Sequence, residues 1–167
     1  RSLARYCRRA ATYDSTCGPT WQIRERAVAS LHLQPGQAVL DVACGTGVVT
    51  RQAAQAVGST GQVVGLDLND GMLQVARTVT PPAGAPLTWR EGSVLALPFP
   101  EATFDVVLCQ WGLEFFPDRA HGLREMARVL VPAGRLGLRV WRALERQPFQ
   151  TAVLAARLQR DGYRVVE

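Results

Sequence analysis

Residues 38–47 read Ala38-Val39-Leu40-Asp41-Val42-Ala43-Cys44-Gly45-Thr46-Gly47, and this stretch decides the fold. Its first half is a run of aliphatic and β-branched residues, which is typical of a strand buried on both faces. Two glycines then end the strand, and residues 48–57 continue with helical character. A strand, a glycine turn and a helix N-terminus predict a site for a nucleotide-like ligand. The glycines let the ligand approach the backbone, and the first helical N–H groups point at it.

An acidic residue at the end of the next strand strengthens this prediction. Residues 63–67 read as a second buried strand that ends in Asp67, twenty residues beyond Gly47. A carboxylate at this place can accept hydrogen bonds from both hydroxyls of a ribose. The alternative is that Asp67 caps the helix that starts near Asn69, since acids at strand ends also cap helices.

The composition indicates one globular domain and excludes several kinds of function. Of the 167 residues, 47% are hydrophobic and 20% are charged, which is ordinary for a folded domain. All nineteen basic residues are arginine, so no lysine is present to bind phosphate or to form a Schiff base. The arginines are scattered after residue 9, and we therefore predict no nucleic-acid partner despite the net charge of +5. No stretch approaches the ~20 apolar residues that span a membrane.

The histidines and cysteines predict neither a metal site nor a disulfide framework. His32 and His121 lie far apart, and the four cysteines show no zinc-binding spacing. Cys44 and Cys109 lie in or beside apolar strands, where a free cysteine behaves as a small hydrophobic residue. We therefore expect no bound metal and a reducing, cytoplasmic location.

Strands and helices alternate five times along the chain. After the first two strands, the pattern predicts strands over residues 87–91, 104–109 and 136–140, the first of them near a sheet edge because it is more polar. It predicts two N-terminal helices around a loop at 14–19, and further helices over 48–57, 69–79, 122–131 and 149–158. Such alternation predicts an α/β fold with a doubly wound, mainly parallel sheet. Ligands bind such sheets at the loops after the strands, here 43–47, 67–70, 91–95 and 109–116.

Four ordered motifs at these loops resemble the class I S-adenosylmethionine-dependent methyltransferases. They read VLDVACGTG (39–47), VVGLDLNDGML (63–73), WREGSVLALPFPEATFDVVLCQWGLEFFPD (89–118) and REMARVLVPAGRLGLRVW (124–141). The nearest branch is the small-molecule and lipid group that includes the ubiquinone and menaquinone methyltransferases, and the resemblance covers residues 35–145. It implies a Rossmann-like methyltransferase fold, S-adenosylmethionine as cofactor, and methyl transfer to a small-molecule or lipid acceptor.

The resemblance also implies which residues bind the cofactor, and they follow the ends of the first four strands. These residues are Asp41, Ala43, Gly45, Thr46, Gly47, Asp67, Leu68, Ser93, Val94, Gln110 and Trp111. By the resemblance, Asp41 and the 43–47 loop hold the methionine end, Asp67 the ribose hydroxyls and Leu68 a face of the adenine. Residues 93–94 edge the adenine ring, and residues 110–111 line the donor methyl and the acceptor pocket.

No catalytic residue is assigned. The sulfonium methyl of the cofactor is already activated, so positioning supplies much of the catalysis. Glu114 either accepts a proton from the acceptor or is a solvated loop acid. Cys109 occupies the place of the nucleophilic cysteine of cytosine-C5 methyltransferases, but Leu108 replaces the proline of that motif, and we interpret Cys109 as a buried cysteine.

Two positions depart from the family pattern. Ala43 stands where relatives usually carry glycine, and we expect its extra methyl to be tolerated. Ser93 stands where they carry aspartate. Its hydroxyl can still hydrogen-bond the adenine amino group, at a loss on the order of 1 kcal/mol.

The resemblance divides the chain into an N-terminal helical substrate or lid segment, residues 1–34, and a cofactor-binding α/β core, residues 35–167. Tyr6, Tyr13 and Asp14 either form part of a lid over the cofactor or serve helix packing. Residues 163–167 have room for one short strand at most, so we expect the sheet to lack the strand pair that ends the family's sheets. A homodimer could cover the sheet edge that this leaves at the fifth strand.

Two other functions stay open from the sequence. A nicotinamide-dependent oxidoreductase shares the strand, the glycine turn and the acid after the second strand. Against it, Thr50 takes the place of the third glycine of that motif, and Asp41 is unusual inside the first strand. A non-catalytic module that binds S-adenosylmethionine is the other alternative.

Overall fold

The computed structural model describes the backbone of residues 6, 8–16, 20–140 and 164–166. The α-helices are α1 (Tyr13–Thr16), α2 (Thr20–Ser30), α3 (Val48–Val57), α4 (Asp70–Thr78) and α5 (Arg119–Arg128). The strands are β1 (Ala38–Val42), β2 (Gln62–Asp67), β3 (Leu87–Glu91), β4 (Phe104–Gln110), β5 (Leu130–Arg139) and β6 (Arg164–Val166). Single 3-10 turns lie at Ala10–Thr12, Val94–Ala96 and Leu113–Phe115.

The strands form one sheet in the order β3-β2-β1-β4-β5-β6, and every neighbouring pair is parallel. Strand β1 pairs with β2 on one side and with β4 on the other. The strand order therefore reverses between β1 and β4, and the crevice beyond the carboxyl ends of these strands is where open α/β sheets bind their ligands. The predicted doubly wound fold is confirmed, and β3 lies at the predicted edge.

Alternating residues of the central strands fill two cores, one on each face of the sheet. On one face Val107 and Cys109 of β4 join Leu123 of α5. On the other face Val106 and Leu108 join buried residues of α2 and α3. This alternation is the period of a strand whose two faces are both covered. By the same period, Gln110 at the end of β4 belongs to the α2 and α3 face.

The predicted boundaries are correct where the sequence signal is local and wrong around α5. Helix α3 and strand β3 have the predicted bounds. The helix predicted over 122–131 instead spans Arg119–Arg128, because the Asp118 side chain accepts a hydrogen bond from His121 N (2.9 Å) and starts the helix earlier. Strand β5 starts at Leu130 and not at residue 136.

The predicted helix over 122–131 stops just before residues 132–134, and the structure places these three residues inside β5. The pairing of β5 with β4 shifts register between Phe104 and Val106, and Ala133 there has a φ of 62°. Such an irregularity lets a strand accommodate a proline and a left-handed residue. In the N-terminal segment, residues 14–16 lie in α1 and not in the predicted loop.

The C-terminal part of the described chain contributes one short strand, as predicted. Strand β6 pairs with residues 135–137 of β5. The sheet edge that suggested a homodimer is therefore occupied over these residues, and the homodimer stays a prediction. The helix predicted over 149–158 lies outside the described residues.

Candidate functional site

The 43–47 loop turns sharply at the carboxyl end of β1. Three of its residues have positive φ, namely Ala43 (59°), Gly45 (59°) and Gly47 (79°). The loop is fixed to β2 by two hydrogen bonds, in which Cys44 N donates to Leu66 O (3.1 Å) and Gly45 N to Asp67 Oδ2 (2.7 Å). The glycine turn and the strand-end acid, predicted separately, thus lie in direct contact.

Trp89 was not identified from the sequence, and its ring explains why positions 47 and 65 are glycine. A Cβ added at Gly47 would lie 2.2 Å from Cη2 of the Trp89 ring, and one added at Gly65 would lie 2.7 Å from Cζ3. The indole therefore crosses β2 from β3 and reaches the start of α3. Gly47 is required for this close approach as well as for its positive φ.

Ala43 carries strain that the family's usual glycine avoids. Its φ of 59° lies in the left-handed region, and a Cβ placed on Gly112 would be only 2.5 Å from its methyl group. The methyl therefore packs directly on the backbone of the loop that follows β4. The glycine at position 112 leaves room for the Ala43 methyl group. That the methyl group is tolerated stays a prediction.

Ala43→Gly should raise the free energy of unfolding by about 0.5–1 kcal/mol, because glycine adopts this backbone conformation without the steric cost of a Cβ. Urea denaturation measures the change. Ala56→Gly, at an exposed position inside α3, is the control of opposite sign and should lower stability by about 1 kcal/mol. A destabilised Ala43→Gly protein would contradict the assignment of strain.

Asp67 uses one lone pair on each carboxylate oxygen for the backbone. Oδ2 accepts from Gly45 N (2.7 Å) and Oδ1 from Asn69 N (2.8 Å). The helix cap itself is Asn69, whose side chain accepts from Met72 N. An ionised carboxylate has about four acceptor sites, so each oxygen of Asp67 retains one for a ligand hydroxyl. Burial raises the pKa of Asp67, and backbone hydrogen bonds from Asn69, Gly45 and Leu68 oppose that rise.

Asp41 lies beneath the loop and is 1% exposed. Its Oδ2 accepts from the Thr50 hydroxyl (2.6 Å). Burial raises the pKa of Asp41 to about 7, the Thr50 hydrogen bond opposes that rise, and repulsion from Asp67 adds to it. Around neutral pH, this buried group therefore carries a fractional negative charge.

Asp41→Asn should be more stable than the wild type by a margin that grows with pH. Because the pKa of Asp41 is raised, the folded state binds more protons than the unfolded state from about pH 4 to pH 7, and its contribution to stability falls over that window. Asparagine keeps an acceptor for Thr50 and does not titrate. Between pH 5 and pH 8 the margin should grow by about 2–3 kcal/mol, measured by urea denaturation. Glu91→Gln is the control at an exposed strand end, and parallel pH profiles of Asp41→Asn and wild type would contradict the assignment.

A small cavity lies between the loop, the end of β4 and the N-terminal helices. It brings together six of the eleven predicted cofactor residues, namely Asp41, Ala43, Gly45, Thr46, Gln110 and Trp111. Both polar atoms of the Gln110 amide are buried and have no hydrogen-bond partner. Leaving a buried donor or acceptor unpaired costs about 1–3 kcal/mol, so this amide is suited to a polar ligand.

Sequence reasoning also missed Arg24, which lines the same cavity. Arg24 is 7% exposed, its Nη1 lies 3.7 Å from Asp14 Oδ1, and its guanidinium lies 5.7 Å from the centre of the Trp111 ring. A signal for it exists, because Arg24 shares the apolar face of α2 with Val28 and Leu31 at helical spacing. An arginine on a core-facing helical stripe is unusual unless it has a partner.

Tyr13 lines the cavity, and two further residues of the N-terminal segment, Tyr6 and Asp14, lie beside it. The Tyr6 ring contacts the rings of Tyr13 and Phe115 edge to face, with centroids 5.9 and 5.5 Å away. The Asp14 carboxylate accepts from the Thr46 hydroxyl (2.7 Å). The predicted lid residues therefore contact both the glycine loop and the loop after β4.

The predicted adenine residues lie outside this cavity, near the carboxyl ends of β2 and β3. Leu68 is 54% exposed, which leaves an apolar face for a ring. The Ser93 hydroxyl accepts from Leu95 N (3.2 Å) and can still use its second lone pair and its proton. The Val94 side chain is buried in the core beside Leu123 of α5, and its place at the edge of the adenine ring stays a prediction.

The remaining candidates show no catalytic geometry. Glu114 is mostly exposed. The limited desolvation of its carboxyl group still raises its pKa, and the nearby Arg119 opposes that rise. Burial raises the pKa of the Cys109 thiol to about 12, which opposes a nucleophilic role and supports the interpretation as a core residue. In the described parts of the chain, no three His, Cys, Asp or Glu side chains gather as metal ligands. No helix in those parts has the length and apolar character that a membrane crossing requires.

The parallel sheet, the glycine turn and the acid at the end of β2 define a Rossmann-like, nucleotide-binding fold. The chain belongs to the family described as "Methyltransferase domain", whose model matches residues 40–138, and the resemblance seen in the sequence is confirmed. The chain is 41% identical over 110 residues to a demethylmenaquinone methyltransferase of Symbiobacterium thermophilum (65% of this chain, 44% of the relative). It is 36% identical over 115 residues to that of Desulfitobacterium hafniense (66% and 45%). It thus spans about half the length of these relatives.

Solved structures support the same fold. A methyltransferase bound to the Trm112 activator of Haloferax volcanii matches with a TM-score of 0.67 at 27% identity, over 77% of this chain and 57% of that one. A SAM-dependent methyltransferase of Aquifex aeolicus matches with a TM-score of 0.72, over 89% and 86%. At 18% identity this second match shows the fold alone.

Proposed function

We propose that this chain binds S-adenosylmethionine and transfers its methyl group to a small aromatic acceptor of the quinol type. The observation that carries the proposal is the cavity that joins the glycine loop to the end of β4. In it a buried cation, Arg24, a buried carboxyl group, Asp41, and the unpartnered amide of Gln110 meet. Family membership supports the class of reaction.

The residues of the cavity fit the methionine end of this cofactor. That end carries a carboxylate, an ammonium group and a sulfonium. Arg24 can bind the carboxylate, Gln110 can hydrogen-bond either polar group, and ionised Asp41 attracts the two cations. The free acceptor sites of Asp67 suit the ribose hydroxyls, and the exposed face of Leu68 suits the adenine.

The chemistry requires positioning more than proton transfer. The cofactor supplies a methyl group on a positively charged sulfur, which leaves as a neutral thioether when the acceptor attacks. The chain's own residues align donor and acceptor, and the predicted lid residues Tyr6, Tyr13 and Asp14 would exclude water from the cavity. Trp111 is held in a left-handed conformation with φ 60° beside Arg24. Such strained residues cluster at functional sites, which supports a role for Trp111 next to the reacting methyl.

The acceptor class is supported by the relatives and by aromatic side chains at the cavity. The matched curated relatives are named demethylmenaquinone methyltransferases. In this chain Phe115 is 49% exposed and contacts Tyr6, while Trp111 lines the cavity. Aromatic rings of this kind stack well on a fused quinol ring. We also propose that the protein acts in the cytoplasm and has no nucleic-acid partner. The free thiols of Cys44 and Cys109 support the cytoplasmic location.

One observation weighs against a nicotinamide cofactor. Thr50 takes the place of the third glycine of the dinucleotide motif, and its side chain is fully buried and bonded to Asp41. The close approach of helix to strand that this glycine permits is therefore replaced by a polar contact.

Calorimetric titration with S-adenosylmethionine, S-adenosylhomocysteine and NAD tests the cofactor. We expect binding of the first two and none of NAD. Gln110→Leu, which keeps the size of the side chain and removes the amide, should weaken binding about tenfold. Preferential binding of NAD would overturn the proposal. Incubation of the protein with S-adenosylmethionine and a reduced naphthoquinone that lacks one ring methyl should then yield S-adenosylhomocysteine and the methylated quinol. Cofactor binding without this turnover would favour the non-catalytic module.

A further inference from the structure

The 92–99 loop, which connects β3 to β4, is held mainly by side chains of α5. His121 Nε2 lies 2.8 Å from Leu95 O. Glu125 Oε2 accepts from Leu97 N (2.8 Å). Arg128 donates from Nη2 to Leu97 O (3.0 Å) and from Nη1 to Phe99 O (2.9 Å). These backbone groups lie outside the strands, so α5 supplies their partners.

The three side chains form one rigid unit. Positions 121, 125 and 128 follow helical spacing and share a face of α5. Arg128 and Glu125 also form a double hydrogen bond, with Nε to Oε1 at 2.6 Å and Nη2 to Oε2 at 2.8 Å. The paired arginine lowers the pKa of Glu125, which keeps the pair ionised at neutral pH. Planar double contacts of this type fix orientation as well as distance.

The loop is also held at its start and by its own packing. Val94 and Leu97 are buried against α5. The bonds of Ser93 are local, since its hydroxyl accepts from Leu95 N (3.2 Å) and its carbonyl from Ala96 N (3.1 Å). At its start, Gly92 N donates to Asp67 O (3.0 Å), so the loop begins beside the predicted ribose site. Ser93 therefore lies between this anchor and the part of the loop that α5 holds.

We propose that His121, Glu125 and Arg128 are positioning residues for adenine recognition, which act by holding the 92–99 loop against the base of the cofactor. This rests on the proposed function, because it requires S-adenosylmethionine as ligand. None of the three side chains needs to touch the cofactor. They set the place of the Ser93 hydroxyl, which meets the adenine amino group.

Binding of S-adenosylhomocysteine and of its purine analogue, in which a hydrogen atom replaces the adenine amino group, tests this inference. The analogue offers Ser93 neither a donor nor an acceptor at this position, whereas a hydroxyl could donate to an oxygen placed there. The wild type should prefer S-adenosylhomocysteine by about fivefold, the value of one neutral hydrogen bond. Arg128→Lys and Arg128→Ala should lose about tenfold in affinity for S-adenosylhomocysteine and should bind the two ligands within about twofold of each other. Arg124→Ala, at an exposed position on the same helix, is the matched control and should behave as the wild type.

A purely structural role would lower the unfolding temperature of the Arg128 variants and leave their ligand preference unchanged. That outcome, or a wild type that binds both ligands equally, overturns the inference. If Arg128→Ala does not fold, Glu125→Gln replaces it, since glutamine keeps an acceptor for Leu97 N but loses the ion pair. It should lose part of the preference, and an unchanged preference would count against the inference. A wild type that binds neither ligand would instead refute the proposed function.

Discussion

Replacing Gly47 with alanine is expected to destabilise the protein by about 3 kcal/mol or more and to remove cofactor binding. The new Cβ would lie 2.2 Å from one atom of the Trp89 ring and 2.6 Å from another, at a residue whose φ is 79°. The ring also covers Gly65, so moving it far enough to relieve a 2.2 Å contact would disrupt that packing as well. The loop would therefore be displaced from the place that holds the methionine end. Urea denaturation and calorimetry measure the two effects.

Gly36→Ala separates the collision from the backbone strain. Gly36 has a φ of 87°, and the nearest atom to its added Cβ is Thr60 Oγ1 at 3.7 Å, so this variant should lose only about 1 kcal/mol and bind normally. Trp89→Ala should make Gly47→Ala less costly, since it removes the colliding ring. Equal losses for Gly47→Ala and Gly36→Ala would show that Trp89 is not the constraint.

Asp67→Ala is expected to weaken binding of S-adenosylhomocysteine by about 1.5–3 kcal/mol, the range for hydrogen bonds to a charged group. Stability should fall as well, because Gly45 N and Asn69 N lose their acceptor. Binding of S-adenosylhomocysteine and of analogues that lack the ribose hydroxyls is measured for both the wild type and Asp67→Ala. The comparison separates the lost contact with the ribose from the lost stability of the loop. The wild type should lose affinity when the hydroxyls are removed, and Asp67→Ala should not.

Asp70→Ala is the control for this prediction, since the Asp70 side chain is 44% exposed and pairs with Arg77 of the same helix, α4. We expect no change in binding. If Asp67→Ala remains sensitive to removal of the ribose hydroxyls, the ribose assignment is wrong and Asp67 acts only on the loop.

The parts of the fold that could be predicted are those with local signals. Residues 48–57 and 87–91 have apolar patterns bounded by glycine, proline or acidic residues, and the structure reproduces both bounds. Residues 132–134 carry a similar signal, yet their proline lies in β5, because the cap at Asp118 and the register shift in β5 outweigh it. A single-sequence pattern contains neither of these tertiary effects.

The residues of the site also divide into those with a local sequence signal and those placed by tertiary contacts. Residues directly after strands were predicted, because the carboxyl ends of parallel strands always lie at one edge. Trp89 and Arg24 were not predicted, since each reaches the site from an element that is distant in sequence. Trp89 crosses a neighbouring strand, and Arg24 enters from a helix that precedes the sheet.

The position of β1 between β2 and β4 determines when the binding crevice can appear during synthesis. Residues 39–41 pair with residues 106–108, so the ribosome must release nearly two thirds of the chain before the two walls of the crevice meet. Pairings so far apart in sequence form slowly. A nascent chain shorter than this holds the glycine loop but lacks the wall that carries Gln110, and the ligand therefore cannot guide the early stages of folding.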